Sequence, residues 1–271
     1  MRLVSKCGLA LTAALVLGGS VMAVTPPNAG SLAHFATGGG WRTTWIIFNS
    51  GVVPGSAQIN FIGNNGGPVT IPLKDSLTQT LLPPASFFST GQQNLIPPGA
   101  AIAVESDSSA PISQEGWSQL QTSSPAVTGF CFFHYQPLKG PASQGVVQPE
   151  TRNALSYVLT YSNTGTTFTA VAVANITNAP VNVTVTLRDP LTGVIIDHGN
   201  FSLPAMGHGS FLLASTFTSS AGKTGSVEFS TGTTGELTVV GLVFDSVALG
   251  GGSTGYSFFS VPPIAKYPLI T

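Results

Sequence analysis

Val181-Asn182-Val183-Thr184-Val185-Thr186-Leu187-Arg188 is the stretch that decides the fold class. Apolar side chains take every second position and polar ones the positions between. A period of two belongs to a strand with one dry and one wet face. Asp189-Pro190-Leu191-Thr192-Gly193 follows with turn chemistry, and Val194-Ile195-Ile196 starts a return strand. The first half uses the same device: Ala57, Ile59 and Phe61 alternate with Gln58 and Asn60, and Asn64-Asn65-Gly66-Gly67 turns the chain toward Val69, Ile71 and Leu73. Only Leu77 to Leu82 and Leu213 to Phe217 offer short helical candidates. The chain reads as all-β.

Four string matches in the same order read as an internal duplication. Trp45-Ile46-Ile47-Phe48-Asn49 matches Val171-Ala172-Val173-Ala174-Asn175 at an offset of 126, and Leu82-Pro83-Pro84 matches Leu203-Pro204-Ala205 at 121. Val104-Glu105 matches Val227-Glu228 at 123, and Val127-Thr128-Gly129-Phe130 matches Val239-Val240-Gly241-Leu242 at 112. Two repeats of short strands predict tandem immunoglobulin-like antiparallel β-sandwiches, over 24–136 and 153–271, with a Pro- and Gly-containing linker at 137–152. The late drop in offset places extra residues of the first copy between Asp107 and Ala126, a loop carrying Glu115 and Trp117. A loop lengthened in one copy is a natural place for function. The plainer expectation is that Trp117 folds down as a lid, since a lone Trp usually packs.

Residues 1–23 read as a signal peptide. Arg2 and Lys6 precede an apolar run from Gly8 to Gly19, and Val21-Met22-Ala23 supplies small residues for cleavage. The run is too short for a confident membrane span, so the expected location is extracellular or periplasmic, with no span after cleavage. The end, from Ala265 to Thr271, carries no hydrophobic sorting tail. Cys131 is then the only cysteine left, set in the apolar run Phe130-Cys131-Phe132-Phe133, so no internal disulfide is expected and the thiol belongs to the core.

Composition narrows the classes further. Only 7% of residues are charged, 42% are hydrophobic, and the chain holds 32 Gly and 20 Pro, which excludes a coiled coil. A net charge of -1 leaves no basic excess for a nucleic-acid partner. Few lysines guard the strand edges, so self-association through edges is expected.

No catalytic constellation stands out. Gly251-Gly252-Ser253-Thr254-Gly255 satisfies G-x-S-x-G, but the nucleophile elbow needs a strand-to-helix turn, and a hairpin loop explains the string better. Gly207-His208-Gly209-Ser210 puts His208 beside Ser210, which is adjacency and not a triad. His34, His134, His198 and His208 lack ligand spacing, and Glu105-Ser106-Asp107 lacks the repeated acids of a calcium loop. No metal and no cofactor is expected. Sugar rings stack on exposed aromatics, and Trp41, Trp45 and Trp117 all lie in the first half. Trp45 sits in a strand and points to the core, whereas Trp41 follows three glycines.

The strings His34-Phe35-Ala36-Thr37-Gly38-Gly39-Gly40-Trp41, Pro149-Glu150-Thr151-Arg152-Asn153 and Leu203-Pro204-Ala205-Met206-Gly207-His208 resemble those of uncharacterised exported proteins in soil bacteria. The resemblance implies twin immunoglobulin-like or fibronectin-III-like sandwiches and no activity. The expected function is a secreted, non-catalytic protein of surface structure, adhesion or assembly. One alternative is a carbohydrate binder using Trp41, Trp117, Glu115 and Asp107, with an extracellular glycan as partner. The other is a secreted hydrolase using Ser253 or Ser210.

Overall fold

The structure, a computed structural model, describes residues 28–90, 95–137, 140, 142–249 and 253–268. The signal-peptide reading of 1–23 and the end of the chain lie outside the described residues. The first half contributes β1 (Asn28–Thr37), β2 (Trp41–Asn49), β3 (Ala57–Gly63), β4 (Ile71–Asp75), β5 (Leu81–Ala85), β6 (Phe87–Ser89), β7 (Ala101–Ser106), β8 (Gln114–Thr122), β9 (Val127–Tyr135) and β10 (Ser143–Val147). The second half contributes β11 (Ser156–Ser162), β12 (Thr167–Asn175), β13 (Val181–Arg188), β14 (Ile195–Leu203) and β15 (His208–Leu212). After one helical turn, α1 (Leu213–Thr216), come β16 (Thr224–Ser230), β17 (Leu237–Leu249), β18 (Ser253–Val261) and β19 (Ile264–Lys266).

These strands build four antiparallel sheets. The first has the order β1-β8-β3-β6, the second β10-β9-β2-β7-β4-β5, the third β14-β13-β16-β11-β19 and the fourth β15-β12-β17-β18. The sheets are arranged as a four-bladed β-propeller, not as two tandem immunoglobulin-like sandwiches. Each sheet joins strands far apart in sequence, so none is a simple meander.

Burial in the fourth sheet shows why a pair of independent sandwiches fails. Val171, Val173, Val239 and Val243 pack with Leu159, Val183, Val185 and Phe229 of the third sheet. The alternate residues Ala172, Val240 and Leu242, with Phe258, join Leu32, Phe35, Trp45 and Phe133 in the core of the first two sheets. Both faces of this sheet are therefore dry along β12 and the first half of β17, whereas a sandwich exposes the outer face of every sheet. The alternation of Val with Ala in β12 suits that position, because Ala172 and Ala174 let neighbouring sheets approach closely. Each fully buried Val adds roughly 1.5–3 kcal/mol.

The segment read as a linker is also integrated. Its residues 143–147 form β10, paired with β9, and Ser260 of β18 donates through Oγ to the carbonyl of Val146 at 2.6 Å. The Val181–Arg188 strand and its hairpin partner β14 lie as the alternation predicts. The Asn64–Gly67 turn differs. It leads from β3 in the first sheet to β4 in the second and is a crossover between sheets.

Two of the four string matches pair strands that do not correspond in the sheets. Val104-Glu105 lies on β7 and Val227-Glu228 on β16, the partner of β11 and β13. Leu82-Pro83-Pro84 lies in β5, whereas the turn that occupies the place of Leu203-Pro204-Ala205 is Ile96-Pro97-Pro98. Asn49 and Asn175 show this directly. Asn49 Nδ2 donates to the carbonyls of Val53 and Ile96, and Asn175 Nδ2 to those of Ala179 and Pro204. The extra residues of the first half are therefore the β4–β5 hairpin, and the supposed loop at 107–126 contains β8, a strand inside the first sheet. Of the helical candidates, Leu213–Thr216 is helical, whereas Leu77 to Leu82 is a turn that runs into β5. Cys131 is fully buried, and burial pushes its thiol well above the usual range, which makes it inert.

Candidate functional site

The four residues expected to bind separate into two groups. Trp117 has no exposed surface and packs with Ile62, Ala174, Ile176 and Met206, while its Nε1 donates to the Met206 carbonyl at 2.7 Å. It is a bolt between the halves and no sugar platform. Asp107 is engaged elsewhere. Lys74 Nζ lies 2.7 Å from its Oδ1, Ser109 Oγ donates at 2.6 Å, and these contacts hold its carboxyl below the usual carboxylate range. Glu105, its neighbour in the calcium reading, accepts from Gln79 Nε2 at 3.1 Å and faces Arg42 Nε at 3.6 Å. Among the described residues, no three of His, Cys, Asp and Glu converge as metal ligands.

Trp41 and Glu115, in contrast, line one cleft of about 260 Å³ between the first and fourth sheets, together with His34, Ser210, Leu242 and Phe244. Trp41 opens β2 and is half-buried. Its ring stacks on Tyr135 with centroids 4.6 Å apart and 30° between planes, and it meets Phe258 at 5.4 Å. Glu115 sits on the same face of β8 as Trp117, two residues on, because strand side chains alternate. Ser210 Oγ of β15 donates to Glu115 Oε2 at 2.8 Å, and Asn64 Nδ2 donates to Oε1 at 3.2 Å. The carboxylate so receives one donor from each half of the chain.

Asn64 reaches that position because its turn is pressed against the second half. Gly66 holds φ at 83°, and a Cβ there would stand 1.9 Å from the Ala205 carbonyl oxygen. Only glycine meets both demands. The backbone N–H of His208 completes the dock by donating to the Asn64 carbonyl at 3.1 Å.

Behind the cleft lies a pair that sequence spacing hid, since its members are 174 residues apart. His34 Nδ1 and His208 Nε2 are 3.1 Å apart, the rings stack with centroids at 5.2 Å, and Phe133 meets His34 edge-on. Burial lowers the His34 pKa to about 4, with the Glu115 charge pulling the other way. His208 is lowered as well, first by burial and then by His34. Both rings are neutral near pH 7.

Neither hydrolase reading gains a catalytic setting among the described side chains. Ser210 Oγ is given to Glu115, and Ser253 opens a strand, not a helix. A larger hollow of about 610 Å³ lies beside Glu150 and Arg152, but Arg152 Nε pairs with Glu150 at 2.8 Å and its guanidinium also reaches the Pro263 carbonyl.

No protein-family model, curated protein or solved structure matches this chain.

Proposed function

We propose that the chain is a non-catalytic saccharide-binding protein, using the cleft between the first and fourth sheets. The observation that carries this reading is the meeting of Trp41 with Glu115 and Ser210 in one opening. An aromatic face takes the C–H side of a pyranose, while a carboxylate and a hydroxyl take its polar rim; such mixed linings are usual for small-ligand sites. No Lys or Arg lines the cleft, so anionic ligands meet a negative site. Secretion, expected from residues 1–23, would present such a site to extracellular glycans.

Calorimetric titration with neutral methyl glycosides tests the reading. Trp41→Ala is expected to weaken binding at least tenfold, and Glu115→Gln by about ten- to hundredfold, the range of one hydrogen bond to a charged group. Binding that survives Trp41→Ala unchanged contradicts the proposal.

A role in surface assembly remains a second proposal, favoured by one feature. The tip of the β13–β14 hairpin exposes Leu191, Val194 and Ile195, and β14 is an edge strand of the third sheet. Edge-to-edge pairing there predicts a mass that rises with concentration in light scattering. A strict monomer at every concentration removes it.

A further inference from the structure

The polar side of the cleft has a fixed hydrogen-bonding sense, and it follows from a chain of four side chains. Asn64 Nδ2 donates to Glu115, which turns the amide so that Oδ1 faces His208 Nδ1 at 2.7 Å. An amide oxygen only accepts, so His208 carries its proton on Nδ1. A neutral imidazole has one N–H, which leaves His208 Nε2 as an acceptor, and the contact to His34 Nδ1 at 3.1 Å is then donated by His34. The same rule leaves His34 Nε2 without a proton.

His34 is 8% exposed, and among the described residues its ring is hydrogen-bonded through Nδ1 and not through Nε2. His34 lines the cleft beside Glu115, Trp41 and Ser210. An unpaired lone pair on a nearly buried ring is an open position for a donor.

We infer that the cleft selects a ligand that donates hydrogen bonds to His34 Nε2 and to Glu115, a neutral or amine-bearing pyranose, and rejects a uronate. This inference rests on the saccharide reading and adds the ligand's charge and donor pattern. His34 is the specificity-determining residue, and Asn64 is the positioning residue that sets its tautomer through His208. A uronate carboxylate would face both the lone pair and the Glu115 charge, with no cation in the lining to offset them.

Two experiments on the full chain test it. In a long-range proton–nitrogen NMR spectrum at pH 7, His34 is expected to show a protonated Nδ1 and a bare Nε2. An Nε2-protonated His34 overturns the inference whatever the chain binds. Methyl glucosides, glucosaminides and glucuronides, with the galacto and manno forms of each, are then titrated at the same pH. Neutral and amino sugars are expected to bind at least tenfold tighter than uronates, and His34→Phe to weaken them by about three- to tenfold. Equal or tighter uronate binding overturns the inference and leaves the saccharide reading standing. No binding by any of the probes overturns both.

Discussion

Trp117→Ala is expected to destabilise the protein by about 3–5 kcal/mol, the usual cost of truncating a buried tryptophan. The ring is wholly enclosed, so its removal leaves a cavity bounded by Ile62, Ala174, Ile176 and Met206. It also strips the Met206 carbonyl of its donor in a turn where Met206 itself holds φ at 56°. Left-handed backbone costs a non-glycine residue roughly 1–2 kcal/mol, so the turn depends on its contacts. Domains are stable by only about 5–15 kcal/mol, which makes the loss large. Urea unfolding measures it. A loss under about 1 kcal/mol would mean that Trp117 is not the bolt described. Trp117→Phe should recover part of the packing without the hydrogen bond.

Acid provides the second large effect. The His34 pKa lies at about 4 in the folded chain, against the ordinary 6.5 of a solvated imidazole that applies once the chain unfolds. Below pH 6.5 the unfolded chain takes up a proton that the folded chain refuses, so stability is complete above that pH and falls until about pH 4. For His34 the drop is on the order of 3 kcal/mol, and His208 acts in the same direction. Asn64 and Phe133 also face the pair, and among the described residues Glu115 is the charge acting on His34, which softens the effect without reversing it. Asp75, Asp107 and Asp189 are held below their ordinary carboxylate range by hydrogen bonds, so they lose their contribution at lower pH. The interval from pH 6.5 to 4.5 therefore isolates the histidines. A melting temperature that stays flat across it contradicts the buried pair, and His34→Phe should reduce the slope, leaving the parts due to His208 and to His134, whose pKa is also lowered, first by burial.

Much of the strand content was legible in the sequence, and the reason is local. Val181 to Arg188 alternates because one face of β13 is wet, and the period survives in the letters. The arrangement of sheets was not legible. Val171-Ala172-Val173-Ala174 and Val239-Val240-Gly241-Leu242-Val243 lack polar alternates because both faces of the fourth sheet are covered. That absence was the available sign that the sheets share their cores. β8 was hidden for the opposite reason: Gln119 and Gln121 share the face of Trp117, so no apolar alternation marks the strand. Short matches such as Val104-Glu105 with Val227-Glu228 are too common in β-proteins to fix correspondence.

Half of the candidate site was visible in the same way. Trp41 and Glu115 were marked by residue type, and they converge. Trp117 and Asp107 were marked by the same criterion and are structural, since burial and the Lys74 contact cannot be read from type. His34 and His208 were visible only as scattered histidines. The Gly66 turn that brings Asn64 to His208 acts through tertiary contact, which leaves no spacing to read.

The three tryptophan indole resonances test the central claim most directly. On titration with a neutral methyl glycoside that binds, the Trp41 indole signal is expected to shift, while Trp45 and Trp117, both buried, stay in place. A bound glycoside that leaves Trp41 unmoved, or that moves Trp117 alone, would contradict the assignment of the cleft.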